Sequence, residues 1–189
     1  IQLMTEIINQ LEKQDALVVV DVQNDFCPNG LLAVDGGDQV VAPLNRWIGF
    51  ARERGIAVYA SRDWHPQRHI SFQEQGGKWP PHCIQDSDGA QFHADLQLPP
   101  DLVKITKGVR FDADQNSVFD QTGLAAQLRR DGVKRLWVGG LAEDVCVLAS
   151  VLDALEEGFE VFLLKEATRP VGAEDGVRAE KSMKRLGAR

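Results

Sequence analysis

The stretch "SRDWHPQRHISF" (61–72) carries Asp63, His65 and His69, and with them half of the chain's four histidines. Together with His82 further on, these are the residue types of a metal site. Asp63 and His65 stand two apart, so on an extended segment both side chains leave the backbone on the same side. A carboxylate combined with imidazoles suits zinc, iron or manganese rather than calcium. Protein ligands that leave coordination positions open would make a catalytic or substrate-positioning centre. The plainer alternative is a polar loop whose histidines are satisfied by hydrogen bonds, because spacing alone is a weak signal.

Three further residues have reactive side chains. Cys146 stands near the start of the helical stretch "EDVCVLASVLDALEEG", where the helix dipole and unpaired N–H groups favour a thiolate. A small buried hydrophobe is the commoner fate of such a cysteine, and Val147, Leu148 and Val151 on the same stretch allow it. Asp21 follows the apolar run "VVV" and would lose hydration there unless it found a partner. A buried carboxylate with a raised pKa is suited to taking a proton from a thiol. Lys107 could be the partner cation, in a structural ion pair or in a catalytic one. Asn24 and Asp25 read as caps of the turn in "QNDFCPNG". The pairs Gly36-Gly37 and Gly139-Gly140 miss the GxGxxG phosphate pattern, so nucleotide binding has no support.

These residues are set among apolar runs that alternate with helical periodicity. "ALVVVDV" (16–22) is a continuous β-branched run, as expected of a strand buried on both faces. "IAVYAS" (56–61), "LVKITKG" (102–108), "RLWVGG" (135–140) and "FEVFLLKEA" (159–167) read as further strands. Helical spacing runs through "DQVVAPLNRWIGFARERG", "QTGLAAQLRRDG", "EDVCVLASVLDALEEG" and "GAEDGVRAEKSMKRLG". This alternation predicts an α/β fold, with an open, mostly parallel central sheet and helices on both faces. Ligands in such folds bind beyond the carboxyl ends of the strands. Asp21, Asp63, Lys107 and Cys146 all fall at that edge. The segment from Arg62 to Pro100 lacks clear periodicity and holds all four histidines, so it is expected to be functional.

At 189 residues, with no internal repeat or linker, the chain reads as a single domain over 1–189. A net charge of -7 argues against a nucleic-acid partner. Arg178, Lys181, Lys184 and Arg185 read as the solvated face of a last helix. No apolar run approaches the roughly 20 residues of a membrane span. "IQLMTEIINQLEKQD" reads as an amphipathic helix, without the basic start and apolar centre of a signal peptide. A cytoplasmic address is therefore expected, with Cys27, Cys83 and Cys146 as free thiols. The chain does not begin with Met, which is compatible with a piece of a longer product.

Five separated blocks point to one family: "VVVDVQNDFCPNGLLAV", "SRDWHPQRHISF", "GGKWPPHCIQDSDGAQFH", "TKG" and "VGGLAEDVCVLASVLDALEEGFEVFLL". In order, over most of residues 16–165, they resemble the nicotinamidases of the isochorismatase-like cysteine hydrolase superfamily. The resemblance implies a three-layer isochorismatase-like fold and hydrolysis of nicotinamide to nicotinate and ammonia through a cysteine thioester. It implies a divalent transition metal, zinc first and iron or manganese next, and no organic cofactor. Asp21, Lys107 and Cys146 match the catalytic residues. Asp63, His65 and His82 match the metal ligands, and His69 matches a histidine that ligates in some members and lies nearby in others. The Leu141–Ala142 peptide would be cis, with the N–H groups of Ala142 and Cys146 as an oxyanion hole. Phe26, Trp79 and Leu141 match substrate-binding positions. The implied partner is a small molecule, nicotinamide or the related pyrazinamide, with no nucleic acid, no membrane and an open option of a homo-oligomer.

This sequence departs from the family pattern at several positions. Asp86-Ser87 follows the "HC" block where a Gly-Thr pair is usual. Glu143 and Val145 replace a Thr and an aromatic residue, and Asn116-Ser117 replaces a Tyr-Ser pair. All are expected to border the pocket and to bear on substrate range. Two other readings stay open. One is a related cysteine hydrolase acting on another small amide, such as an N-carbamoyl compound, against which Asp63, His65 and His82 count. The other is a catalytically idle regulatory domain that binds nicotinamide or metal, kept open by Glu143 beside the nucleophile. Isochorismatase itself is disfavoured by Cys146, and a redox-thiol role by the lack of a CxxC pair.

Overall fold

A β-branched run without polar interruption needs cover on both faces, and the first such run is buried along its whole length. It forms β1, Asp15–Val20, at the centre of a five-stranded sheet. The structure is a computed structural model and describes residues 11–189. β2 (Ala57–Asp63), β3 (Val103–Lys107), β4 (Arg135–Leu141) and β5 (Glu160–Arg169) complete the sheet. The strand order is β3-β2-β1-β4-β5 and every pairing is parallel. The expected mostly parallel sheet is thus wholly parallel among the described residues.

Alternate side chains of β1 feed two cores. Leu17 and Val19 pack with Leu44, Trp47 and Ile48 of α1 (Val41–Arg54) on one face. Val18 and Val20 pack on the other with Leu128 of α2 (Leu124–Arg130), Val151 of α3 (Leu148–Glu156) and Met183 of α4 (Ala173–Arg185). The result is three layers, helices–sheet–helices, as the alternation predicts. The chain runs outward from β1 through β2 to β3, then returns to the other side of β1 for β4 and β5. That reversal opens a crevice beyond the carboxyl ends of β1 and β4, the usual ligand position in such sheets.

Several boundaries differ from the sequence expectation. α1 begins at Val41, after a single 3₁₀ turn at Gly37–Val40, and carries Pro43 in its first turn, where a missing N–H costs nothing. β2 extends two residues past Ser61 because Arg62 and Asp63 pair with Thr106 and Lys107 of β3. "EDVCV" is a π-helical turn (Glu143–Val147) ahead of α3 rather than its first regular turn, while the Leu141–Ala142 peptide before it is cis, as the resemblance implies. Most of the amphipathic N-terminal segment lies outside the described residues.

Candidate active site

β1 ends where the chain turns sharply at Asp21, whose φ of 47° takes the backbone out of the sheet. The Asp21 carboxylate is wholly buried and accepts from Ser61 Oγ at 2.7 Å and from Lys107 Nζ at 2.7 Å. The β2–β3 register sets Asp63 beside Lys107, and Asp63 Oδ1 lies 2.6 Å from the same ammonium. Lys107 Nζ also reaches the Gln115 carbonyl at 3.3 Å and Cys146 Sγ at 3.6 Å. A buried ammonium is tolerated only with acceptors around it. The Asp21–Lys107 pair foreseen from the sequence is therefore a trio that includes Asp63, with the thiol beside it.

Burial sets the acid–base character of this group. It raises the Asp21 carboxyl, an effect Lys107 opposes and the Asp63 charge reinforces. It would raise Asp63 as well, but Lys107 and His65 hold that carboxyl below the usual carboxylate range. It would lower Lys107, yet the two carboxylates lift the ammonium well above its ordinary value. It pushes the Cys146 thiol well above its ordinary value, with Lys107 pulling the other way. Burial thus favours the thiol form of Cys146, and Asp21, a carboxyl of raised proton affinity, lies within 4.8 Å of it.

His65 and His82 have matched surroundings. His65 Nδ1 bonds the Gly108 carbonyl at 2.9 Å, and His82 Nδ1 bonds the Pro80 carbonyl at 2.8 Å. A carbonyl only accepts, so each neutral ring carries its proton on Nδ1 and keeps a lone pair on Nε2. His65 Nε2 lies 3.6 Å from Asp63 Oδ2, and Asp63, His65 and His82 each offer a donor atom within 4.8 Å of the others. Two imidazole nitrogens fixed by carbonyls and one carboxylate oxygen fit a divalent metal with open positions. Asp21, Asp63 and Cys146 have similar spacing, but there the Lys107 ammonium already supplies the positive charge.

Both ring nitrogens of His69 are already hydrogen-bonded. Its Nε2 donates to the Ala113 carbonyl at 3.0 Å, and its Nδ1 accepts from Ser71 Oγ at 2.7 Å and Ser71 N–H at 3.3 Å. Burial lowers its pKa and favours this neutral form, whose only lone pair is taken. The ring instead stacks on His65, with centroids 4.0 Å apart, and so braces a neighbour of the site. Gly108 is the tightest constraint on His65. Its φ is +68°, and an added Cβ would lie 2.5 Å from His65 Cε1. Gly108→Ala is expected to displace the ring and weaken divalent-metal binding about 10–100-fold. Competition against a chromophoric chelator measures this, and unchanged affinity would show that the ring has room to shift.

A cavity of about 440 Å³, mouth included, joins the two groups. Asp63, His65 and His82 line one part and Ala142 and Cys146 another, with Phe26 and Trp79 on its walls. Leu141 does not line it. Its side chain is fully buried in the core against Gly37, because the strand alternation turns it away from the crevice. Of the departures from the family pattern, Asn116 and Val145 border the cavity, and Asn116 Oδ1 lies 3.9 Å from Cys146 Sγ. Glu143 does not. Its carboxylate turns to Lys165 Nζ at 2.9 and 3.0 Å, and Lys165 also binds Glu180 at 2.8 Å. Glu143, on which the idle-domain reading rested, thus takes no place in the cavity. Ser87 is likewise local, bonding the Ile84 carbonyl at 2.6 Å and capping a short turn.

Some supporting residues escaped the sequence analysis. Asp25 caps its own turn through Leu31 N–H at 3.2 Å, and also accepts from Cys83 N–H at 2.7 Å, next to His82. Gln115 Oε1 accepts from Gly108 N–H at 2.8 Å and so holds the turn that orients His65. Neither bond has a sequence signal: Asp25 meets Cys83 58 residues on, and Gln115 closes a turn on Gly108 seven residues back without any periodic pattern.

The chain matches the Isochorismatase domain over residues 15–189. It is 39% identical over 196 residues to a nicotinamidase of Escherichia coli K12, covering 92% of this chain and 92% of that one. The pyrazinamidase of Pyrococcus horikoshii in complex with zinc has a TM-score of 0.91 and 45% identity, over 93% of this chain and 97% of its own. PnC1 from L. infantum in complex with nicotinate has a TM-score of 0.87 and 36% identity, over 95% and 94%. A match that spans the sheet, both helix layers and the crevice residues alike leaves one assignment: the chain belongs to the isochorismatase family.

Proposed function

We propose that the chain is a nicotinamidase: it hydrolyses nicotinamide to nicotinate and ammonia through a thioester on Cys146. The observation that carries this reading is one cavity with a free-thiol end and an imidazole–carboxylate end, walled by Phe26 and Trp79. Such a space suits a flat ring with a nitrogen at one side and a carboxamide at the other. The E. coli relative is a nicotinamidase, and the L. infantum structure holds nicotinate, the product of this reaction. Pyrazinamide has the same shape and is included in the proposal, with Asn116 and Val145 as the residues that would set the range.

In the reaction, Asp21 accepts the Cys146 proton as Sγ attacks the carboxamide carbon. The oxyanion is met by the N–H groups of Ala142 and Cys146, a contribution of about 3–4 kcal/mol per donor in comparable sites. Collapse breaks the C–N bond, and the proton held by Asp21 goes to the departing ammonia. Asp21 then deprotonates the water that attacks the thioester, which releases the carboxylic acid and returns the proton to sulfur. Lys107 keeps the carboxylate and the transient thiolate in one charge-balanced group. Asp63, His65 and His82 would hold a divalent metal, zinc in our assignment with iron or manganese as alternatives, which would supply a Lewis acid for orienting the ring. Phe26 and Trp79 hold the ring and exclude water.

We further place the protein in the cytoplasm as a single-domain enzyme acting on small molecules. No helix among the described residues is long and apolar enough to cross a membrane. Ammonia release from nicotinamide by the metal-loaded protein tests the reading. We expect turnover in the wild type and none in Cys146→Ala; a silent wild type, or an active alanine variant, would sink it. Release from a panel of other small amides at comparable rates would favour the related-hydrolase reading.

A further inference from the structure

We propose that Gln23 is a positioning residue for the metal centre, its side-chain amide replacing the strand backbone that β1 no longer supplies beside Asp63. This inference rests on the reading of Asp63, His65 and His82 as the metal ligands. The β1–β2 ladder runs from Ala16↔Ala57 to Val19↔Ala60, and Asp21 N–H still reaches the Ser61 carbonyl at 3.1 Å. There the chain turns away, with Asp21 at a φ of 47° and Gln23 N–H folded back onto the Asp21 carbonyl at 2.8 Å. β2 continues to Asp63 without a β1 backbone partner alongside. The Gln23 side chain fills the place. Its Oε1 accepts from Asp63 N–H at 2.9 Å, and its Nε2 donates to the Asp63 carbonyl at 2.7 Å and to the Ala90 carbonyl at 2.9 Å.

The chemistry fixes the orientation of this amide. Only oxygen can meet the Asp63 N–H, and only nitrogen can meet the two carbonyls. Gln23 is fully buried, so none of these bonds is exchanged with water. On its other side Asp63 pairs in register with Lys107 of β3. The next residue, Trp64, donates its N–H to the Lys107 carbonyl at 2.9 Å, so β3 holds the strand beside Asp63 while Gln23 holds Asp63's own N–H and carbonyl, and the carboxylate is left to face Lys107 and His65. The bond to Ala90 adds a tie to the turn at Asp88–Ala90, in the loop that follows His82. A side chain must both donate and accept at this reach to make these bonds. Glutamate has the length but would set a carboxylate oxygen against two carbonyls.

The test uses Gln23→Glu and Gln23→Met in the full chain, each stripped of metal and titrated with zinc against a chromophoric chelator, well below its unfolding midpoint. Zinc affinity is expected to fall about 10–100-fold in both variants, as it does when a partner that orients a ligand is lost. The cobalt-substituted absorption spectrum should shift, and excess zinc should restore most of the ammonia release. A purely structural role would lower the unfolding midpoints and leave the affinity alone. Zinc affinity within about twofold of wild type in the folded variants would overturn the proposal. So would a wild type that takes up no zinc, or a failure of both variants to fold. A wild type that binds zinc but releases no ammonia would instead strike the nicotinamidase reading and leave the positioning role standing.

Discussion

Replacing Lys107 with methionine is expected to destabilise the fold by about 3–5 kcal/mol and to abolish ammonia release. Methionine keeps the apolar stem but leaves the Asp21 and Asp63 carboxylates, 2.7 and 2.6 Å from the present ammonium, without a cation. Both are buried, so their repulsion is poorly screened, and water cannot replace the lost hydrogen bonds. Relief comes when one carboxylate takes up a proton. If Asp21 does so, the proposed base is lost; if Asp63 does so, a proposed metal ligand is lost. Urea unfolding of the metal-free protein measures the first effect, and metal content with ammonia release the second. A variant within about 1 kcal/mol of wild type would show that the ammonium is dispensable to the fold.

Asp21→Asn is expected to lower turnover by about 10²–10⁴-fold, the range for loss of a positioned acid–base group. Asparagine can keep much of the local geometry: its oxygen can accept from Lys107, and its amide can donate to Ser61 Oγ, the partners of the present carboxylate. Lys107 still has Asp63 as counter-ion. The fold and metal binding should therefore persist while the thiol loses its proton acceptor. Single-turnover ammonia release, with metal content measured in parallel, separates the chemical step from ligand loss. Turnover comparable to wild type would remove Asp21 as the base.

The legible part of the site is the part that strand ends dictate. Asp21, Asp63 and Lys107 each end or follow an apolar run, so the rule for parallel sheets gathers them before any motif is used. Cys146 could be placed beside them, and the resemblance supplied the cis peptide before it, but not the π-helical turn, because "EDVCVLASV" has the apolar spacing of an ordinary helix. His69 and His82 are the same residue in the same long loop. They part company through their ring bonds: His69 donates from Nε2 to the Ala113 carbonyl and accepts at Nδ1 from Ser71, whereas His82 bonds the Pro80 carbonyl through Nδ1 and keeps its lone pair on Nε2. Glu143 and Leu141 were misplaced for a related reason, since adjacency in sequence to Cys146 does not say which way a side chain turns. Asp25 was legible as a turn cap, but its bond to Cys83 and the whole role of Gln23 stayed hidden because the partners, Cys83 and Asp63, lie 58 and 40 residues away. Such side-chain-to-backbone bonds follow no periodicity.

Asp63 faces two ways, with Oδ1 on Lys107 and Oδ2 toward His65. One residue thus belongs at once to the ion network of the nucleophile and to the imidazole pair. The consequence is one of heritable change. A substitution at Asp63 that discards the metal also removes one of the two anions balancing a buried ammonium, so it disturbs the proton chemistry next to the thiol. The histidines can drift one at a time; Asp63 cannot. A metal-free descendant of this chain would need a compensating change at or around Lys107 in the same step, and an engineer seeking one should alter the two positions as a pair.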